Sequence, residues 1–172
     1  MTSLVAFWVL AGTAVGAAAL CITRRSPIAS ALWLVVTLFC LAAIYVTLDA
    51  HFIAIMQVLV YAGAIMVLFL FVIMLLNLGR GGASDMKGLL GWGVGGLLFV
   101  LLGLQLGALS KLQPPAEITL PDGAMAALQQ QQGVVGSVAQ PLFGTFLVPF
   151  EITSILLLAA IVGAVVLAKR KL

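Results

Sequence analysis

From Phe52 to Asn77 the chain runs 26 residues without one charged side chain. A stretch of that kind has few stable solutions. At about 1.5 Å of rise per residue, a helix of about 20 residues crosses a hydrocarbon core of roughly 30 Å. A backbone surrounded by lipid must also satisfy its own hydrogen bonds, which a helix does within itself. The rest of the chain agrees. Charged residues make up 8% of it and hydrophobic residues 64%, whereas a soluble domain carries charge on roughly a quarter of its residues. Too few charges are present to dress a water-facing surface. The apolar runs are long and do not alternate with period two, which excludes a β-barrel. The chain reads as an all-α integral membrane protein.

Five runs are long enough to span: residues 4–22, 28–48, 52–78, 89–109, and a last one ending at 168. For the fifth, residues 152–168 alone reach only about 25 Å. That helix is therefore expected to begin between Leu142 and Pro149, covering about 145–168 and taking Glu151 with it. The five spans form one membrane domain, with a loop at about 110–140 between the last two.

Charge orients the bundle. Arg24 and Arg25 follow the first span, Arg80 and Lys87 the third, and Lys169, Arg170 and Lys171 the fifth. Seven of the eight basic residues thus fall on one side, with Lys111 on the other. Positive loops stay cytoplasmic, so the N-terminus is expected outside, the C-terminus in the cytoplasm and the 110–140 loop outside. A cleaved signal peptide would begin with a basic region, and nothing basic precedes Arg24. The net charge of +3 follows from the cytoplasmic anchors and gives no reason to expect nucleic-acid binding.

Cys21 and Cys40 form no CxxC pair and have no histidine partner, so they read as packing residues rather than a metal or redox site. His51 reads as a solvated residue of the turn between the second and third spans. The sequence from Gly79 to Gly82 reads as a helix stop and turn. The outer loop, with Pro114-Pro115, Pro121-Asp122-Gly123 and the glutamines 129–132, reads as irregular apart from a short surface helix near 124–132. Glycines at GxxxG spacing, Gly12/Gly16, Gly91/Gly95 and Gly103/Gly107, let helix backbones approach closely, in this chain or in partner chains.

The third span carries the most specific signal. Gln57, Tyr61 and Gly63 lie near its middle, where lipid requires none of them. Gln57 and Tyr61, four residues apart, share a face of an α-helix and could serve simply as interhelical hydrogen-bonding groups; Gly63 could serve only close packing. Together they suggest more. Glycine lowers the cost of an irregular backbone, and π-bulges occur preferentially at functional sites. Gain or loss of a bulge would rotate one half of the helix by about 100°, the turn of one residue.

Residues 57–77, QVLVYAGAIMVLFLFVIMLLN, resemble the third helix of the J-type, or chain 6, membrane subunit of respiratory NADH:quinone oxidoreductase (complex I). Residues 149–164, PFEITSILLLAAIVGA, resemble the fifth helix of the same family. The resemblance implies a subunit without redox groups of its own: NADH, FMN, iron–sulfur clusters and quinone would be bound elsewhere in the complex, and no catalytic or metal-binding residue would lie in this chain. No dinucleotide fingerprint or cysteine cluster stands in the sequence. The resemblance further implies other membrane-arm subunits as partners, and a third helix that interconverts between π and α forms to couple quinone chemistry to proton pumping. The matching positions here are Tyr61, Gly63, Ala64, Ile65, Met66 and Val67, with Gln57 beside them, Met66 and Val67 gating a water path by dewetting.

Glu151 has two readings. Behind Pro149 it fits an acid in the first turn of a helix, favoured by the dipole. As a carboxyl within a span it is also a candidate proton carrier. Alternatives to the whole assignment are the equivalent subunit of a ferredoxin- or hydrogen-linked complex or of a multisubunit cation/proton antiporter, and a stand-alone small transporter. The last is disfavoured by the lack of a broken helix pair around a substrate site. The absence of an organelle-type targeting segment and the Gly/Ala-rich composition point to a bacterial plasma (inner) membrane.

Overall fold

The computed structural model describes residues 2–76, 89–109, 111 and 123–169. Arg80, Lys87, Arg170 and Lys171, the glycine turn at 79–82, the end of the third span and the prolines at 114, 115 and 121 lie outside the described residues. The described residues form six helices: α1 (Thr2–Thr23), α2 (Pro27–Thr47), α3 (His51–Leu75), α4 (Leu89–Leu109), α5 (Ala124–Phe143) and α6 (Leu147–Ala168). Four of them, α1, α2, α3 and α6, are long and apolar enough to cross a membrane; α4 adds a shorter apolar stretch, Gly93–Leu109. The protein is a multi-pass helical membrane protein. Its contacts divide it into two compact units, residues 1–48 with 53–122, and residues 49–52 with 123–172.

In the first unit α1, α2 and α3 pack in chain order. Ser26 is extended (φ −91°, ψ 121°) and Pro27 opens α2, where its fixed φ suits a first turn and its missing N–H leaves nothing unsatisfied. Small buried residues let these helices approach: Ala14 and Ala17 on α1, and Ala31 and Ala42 on α2, with Ala31 packed against α3. Lipid offers no hydrophobic drive for this association, so close packing and hydrogen bonds must hold it. Both cysteines take part. The Ser30 hydroxyl donates to the Cys21 carbonyl, and Thr13 Oγ1 lies 3.5 Å from Cys40 Sγ. Between α2 and α3 the core is Ala31, Met66 and Ile73, with Leu34, Val35, Leu38 and Leu70 against it.

The GxxxG glycines do not make these contacts. A Cβ placed at Gly12, Gly16, Gly95 or Gly103 would meet nothing within 4 Å. On α1 the alanines 14 and 17, not the glycines, face α2.

The turn between α2 and α3 is tight. The Leu48 N–H reaches the carbonyls of both Ile44 and Tyr45, and Asp49 then takes φ 58°, the one positive φ among described non-glycine residues. Aspartate tolerates the left-handed region where a β-branched residue is strained by about 1–2 kcal/mol. Asp49→Gly should therefore leave thermal stability unchanged or slightly raised. Asp49→Val should lower it by that amount, read as the unfolding midpoint of the purified protein.

In the second unit the short helix expected near 124–132 is present as the first half of α5, and a second helical stretch follows Gly133 to Phe143 where an irregular loop was expected. The first half has a physical basis in Ala, Met, Leu and Gln, all good helix formers. Gly133 (φ 76°, ψ 164°) interrupts the helix, and it resumes to Phe143 despite Pro141. The chain then turns back through Gly144, where a Cβ would stand 3.0 Å from the Gln140 carbonyl oxygen. Phe143 and Phe150 meet edge to face at 5.2 Å between ring centroids, joining the end of α5 to the start of α6. The Gln129 side-chain amide donates to the Asp49 carbonyl.

Candidate functional site

Helix α3 is not uniform. Residues His51–Met56 are α-helical, Gln57–Ile65 form a π segment, and Met66–Leu75 return to α. At the exit the Met66 N–H bonds back to the Tyr61 carbonyl, five residues earlier, and to the Gly63 carbonyl. Nothing in the hydrophobic pattern demands a π turn. Gly63 permits one: a Cβ there would lie 3.2 Å from the Val58 carbonyl oxygen, again five residues back. In a regular α-helix that carbonyl belongs to a different turn and the crowding would not arise.

Burial along α3 records the extra residue. The buried positions are Ala54, Gln57, Ala62, Met66 and Ile73, and the step from 57 to 62 is five. An α-helix repeats a face every three or four residues, so that step marks where the helix has been wound one residue wide. Gln57 is the only buried polar residue among those described, at 9% exposure, whereas Tyr61 is 53% exposed. The expectation that Gln57 and Tyr61 share a face is therefore corrected. It holds for an α-helix and fails here because the π winding puts Ala62, not Tyr61, below Gln57.

The predicted switch residues fall into two groups. Gln57 and Met66 are buried and Gly63 half-buried, while Tyr61, Ala64, Ile65 and Val67 are exposed. The π segment packs against α2. Sequence reasoning missed two participants. Val58 supplies the carbonyl that a side chain at 63 would crowd, and Ala62 provides the small contact at the five-residue step. Their signal was faint, since both are ordinary apolar residues that matter through backbone geometry.

Glu151 is placed differently from the first-turn expectation. Helix α6 starts at Leu147, two residues before Pro149, so Glu151 is the fifth helical residue and no acid stands in the first turn. The dipole effect falls off within that turn. The carboxylate is exposed, and its backbone carbonyl accepts a hydrogen bond of 2.7 Å from the Ser154 hydroxyl.

A multi-pass helical bundle, with a π segment that opens on a buried glutamine and contains a glycine, is the class of membrane protein these features define. Residues 17–167 match the sequence profile of the family described as NADH-ubiquinone/plastoquinone oxidoreductase chain 6, and the chain belongs to that family. It is 34% identical over 169 residues to NADH-quinone oxidoreductase subunit J of Pseudomonas aeruginosa, covering 96% of each chain. It is likewise similar to NAD(P)H-quinone oxidoreductase subunit 6 of the Chlorokybus atmophyticus chloroplast (34% identity, 78% of this chain and 68% of the relative). A third relative is NAD(P)H-quinone oxidoreductase chain 6 of Leptolyngbya boryana (33% identity, 98% and 80%).

Proposed function

We propose that the chain is the chain 6 (J-type) membrane-arm subunit of a proton-translocating NADH:quinone oxidoreductase, and that α3 couples quinone reduction to proton pumping by passing between π and α forms. In this reading the chain is one membrane domain of five spans in a bacterial plasma membrane. Its N-terminus is outside and its C-terminus cytoplasmic, and other membrane-arm subunits pack on it. It holds no redox group. NADH, FMN, iron–sulfur clusters and quinone belong to other parts of the complex.

The observation that carries the coupling role is the five-residue step between Gln57 and Ala62. Returning that step to four removes one residue's turn and rotates one half of the helix by about 100° relative to the other. With the Gln57 half held, Tyr61 would replace Ala62 against α2, Ile65 would replace Met66, and Val72 would replace Ile73. Each exchange swaps a buried side chain for one now exposed. The rotation carries the Tyr61 hydroxyl inward and turns Met66 and Val67 about the axis, which opens or closes a path for water between helices. Such a rearrangement shifts with whatever binds its two forms unequally, and quinone chemistry in the same complex supplies that bias.

Glu151 belongs to this proposal as a proton-handling group. It lies beyond the reach of the helix dipole, and a carboxyl within a span is a functional candidate by default. Glu151→Gln keeps the shape and removes the charge. Expected is normal assembly with proton pumping reduced severalfold, measured as acidification per NADH oxidised; unchanged pumping returns the residue to anchoring the helix end.

The reading as a whole is tested by tagging the C-terminus, extracting membranes in mild detergent and assaying the purified particle. A large assembly with inhibitor-sensitive NADH:quinone reductase activity is expected. A large assembly active only with another donor moves the chain to a sister complex.

A further inference from the structure

On the side of the bundle where α1 turns into α2, a groove of about 280 Å³ runs between α2 and the second half of α3. Its walls are Ile28 on α2 and Val67, Leu70, Phe71 and Met74 on α3. The four α3 residues stand at positions i, i+3, i+4 and i+7, a single helical face. No polar side chain lines it. Ile28 lies in the first turn of α2, three residues after Arg25, so the two Cα atoms are at most about 11 Å apart. Arg24 and Arg25 are both exposed, and among the described residues neither has an ion-pair partner. The turn that carries both cations thus leads directly into the wall of a dry groove.

That combination matches one chemistry better than any other. An apolar transmembrane helix filling the groove would satisfy its walls and engage neither guanidinium. A zwitterionic lipid would bring its own cation to the same place. An anionic phospholipid meets both halves, with an acyl chain along the apolar walls and a phosphate held by arginine, whose planar fork matches phosphate oxygens. We propose that this groove binds an acyl chain of an anionic phospholipid whose headgroup is held by Arg24 and Arg25. The site ties the α1–α2 turn to the half of α3 that follows the π segment. It rests on the membrane reading given under Proposed function.

The test uses the full complex reconstituted in vesicles containing phosphatidylglycerol with a photoactivatable acyl chain, or phosphatidylcholine carrying the same chain at equal mole fraction. Phosphatidylglycerol should label the peptide containing residues 67–74 well above phosphatidylcholine. One basic residue near a membrane surface contributes about fivefold to anionic lipid binding. Arg24→Ala with Arg25→Ala should therefore lower phosphatidylglycerol labelling about 25-fold and leave phosphatidylcholine labelling where it was. Arg24→Lys with Arg25→Lys should retain most of the preference, which separates lost charge from lost fold. Ile28→Trp, which fills the groove, should reduce labelling by both lipids. Equal labelling by the two lipids, labelling indifferent to the arginines, or no labelling by either lipid because another subunit fills the groove would each overturn the site. NADH:quinone reductase activity of the same vesicles reports the membrane-arm reading separately, so an active complex without lipid preference counts against the lipid site alone.

Discussion

A Gly63→Val enzyme should assemble in part, oxidise NADH slowly and pump protons at least tenfold less than the parent. The effect has a steric source. A Cβ at 63 would lie 3.2 Å from the Val58 carbonyl oxygen in the π form, and valine's two methyl groups add further bulk. In a straight α-helix the Val58 carbonyl lies further from position 63, so relief of that contact moves the equilibrium towards α, and about 1.4 kcal/mol already changes a population ratio tenfold. Gly63→Ala should show the same direction with a smaller loss, because its single methyl needs a yield of only a few tenths of an ångström. Pumping stoichiometry in reconstituted vesicles is the readout. Normal pumping in a fully assembled Gly63→Val enzyme would remove the hinge role.

The second large effect is expected at Ala31. It is 3% exposed and packs with Met66 and Ile73, where α2 meets the half of α3 beyond the π segment. Leucine there adds three carbons to a space already filled by Met66 and Leu70. Overpacking of a tight interior costs about 1–3 kcal/mol, and in lipid this interface has no hydrophobic term in reserve. Ala31→Leu should therefore lower the yield of assembled complex and its thermal midpoint, while Ala31→Gly changes them little. Equal stability of the leucine variant would mean that α2 and α3 do not approach as closely as the buried alanine requires.

The two predictions concern features of unequal visibility in the sequence. Helix limits were readable because lipid imposes length. The expected spans 4–22, 28–48 and 89–109 fall within a few residues of α1, α2 and α4, and Leu147 lies inside the interval deduced for the fifth start. Gln57 and Gly63 stood out because a lipid-facing helix requires neither. The five-residue step was not readable, since it lives in the backbone and is written only in which apolar residues end up covered. Gln57 and Tyr61 were paired by α-helical spacing, and the π winding separates them. Helix α5 was half legible. The run from Ala124 to Gln132 has the intrinsic preferences of a helix, whereas Gly133 and Pro141 hid the helical stretch that follows. Pro149 misled as a start signal because proline is also tolerated elsewhere in a helix's first turn, where the N–H groups have no partner.

The central claim is that α3 changes its winding during turnover, and structure determination of the assembled complex at rest and during NADH oxidation tests it most directly. The account predicts a turnover population in which residues 57–65 have an α ladder, with Tyr61 and Ile65 standing where Ala62 and Met66 stand at rest. A π segment over Gln57–Ile65 with Met66 and Ile73 against α2 in every state of an enzyme that is pumping protons would contradict it.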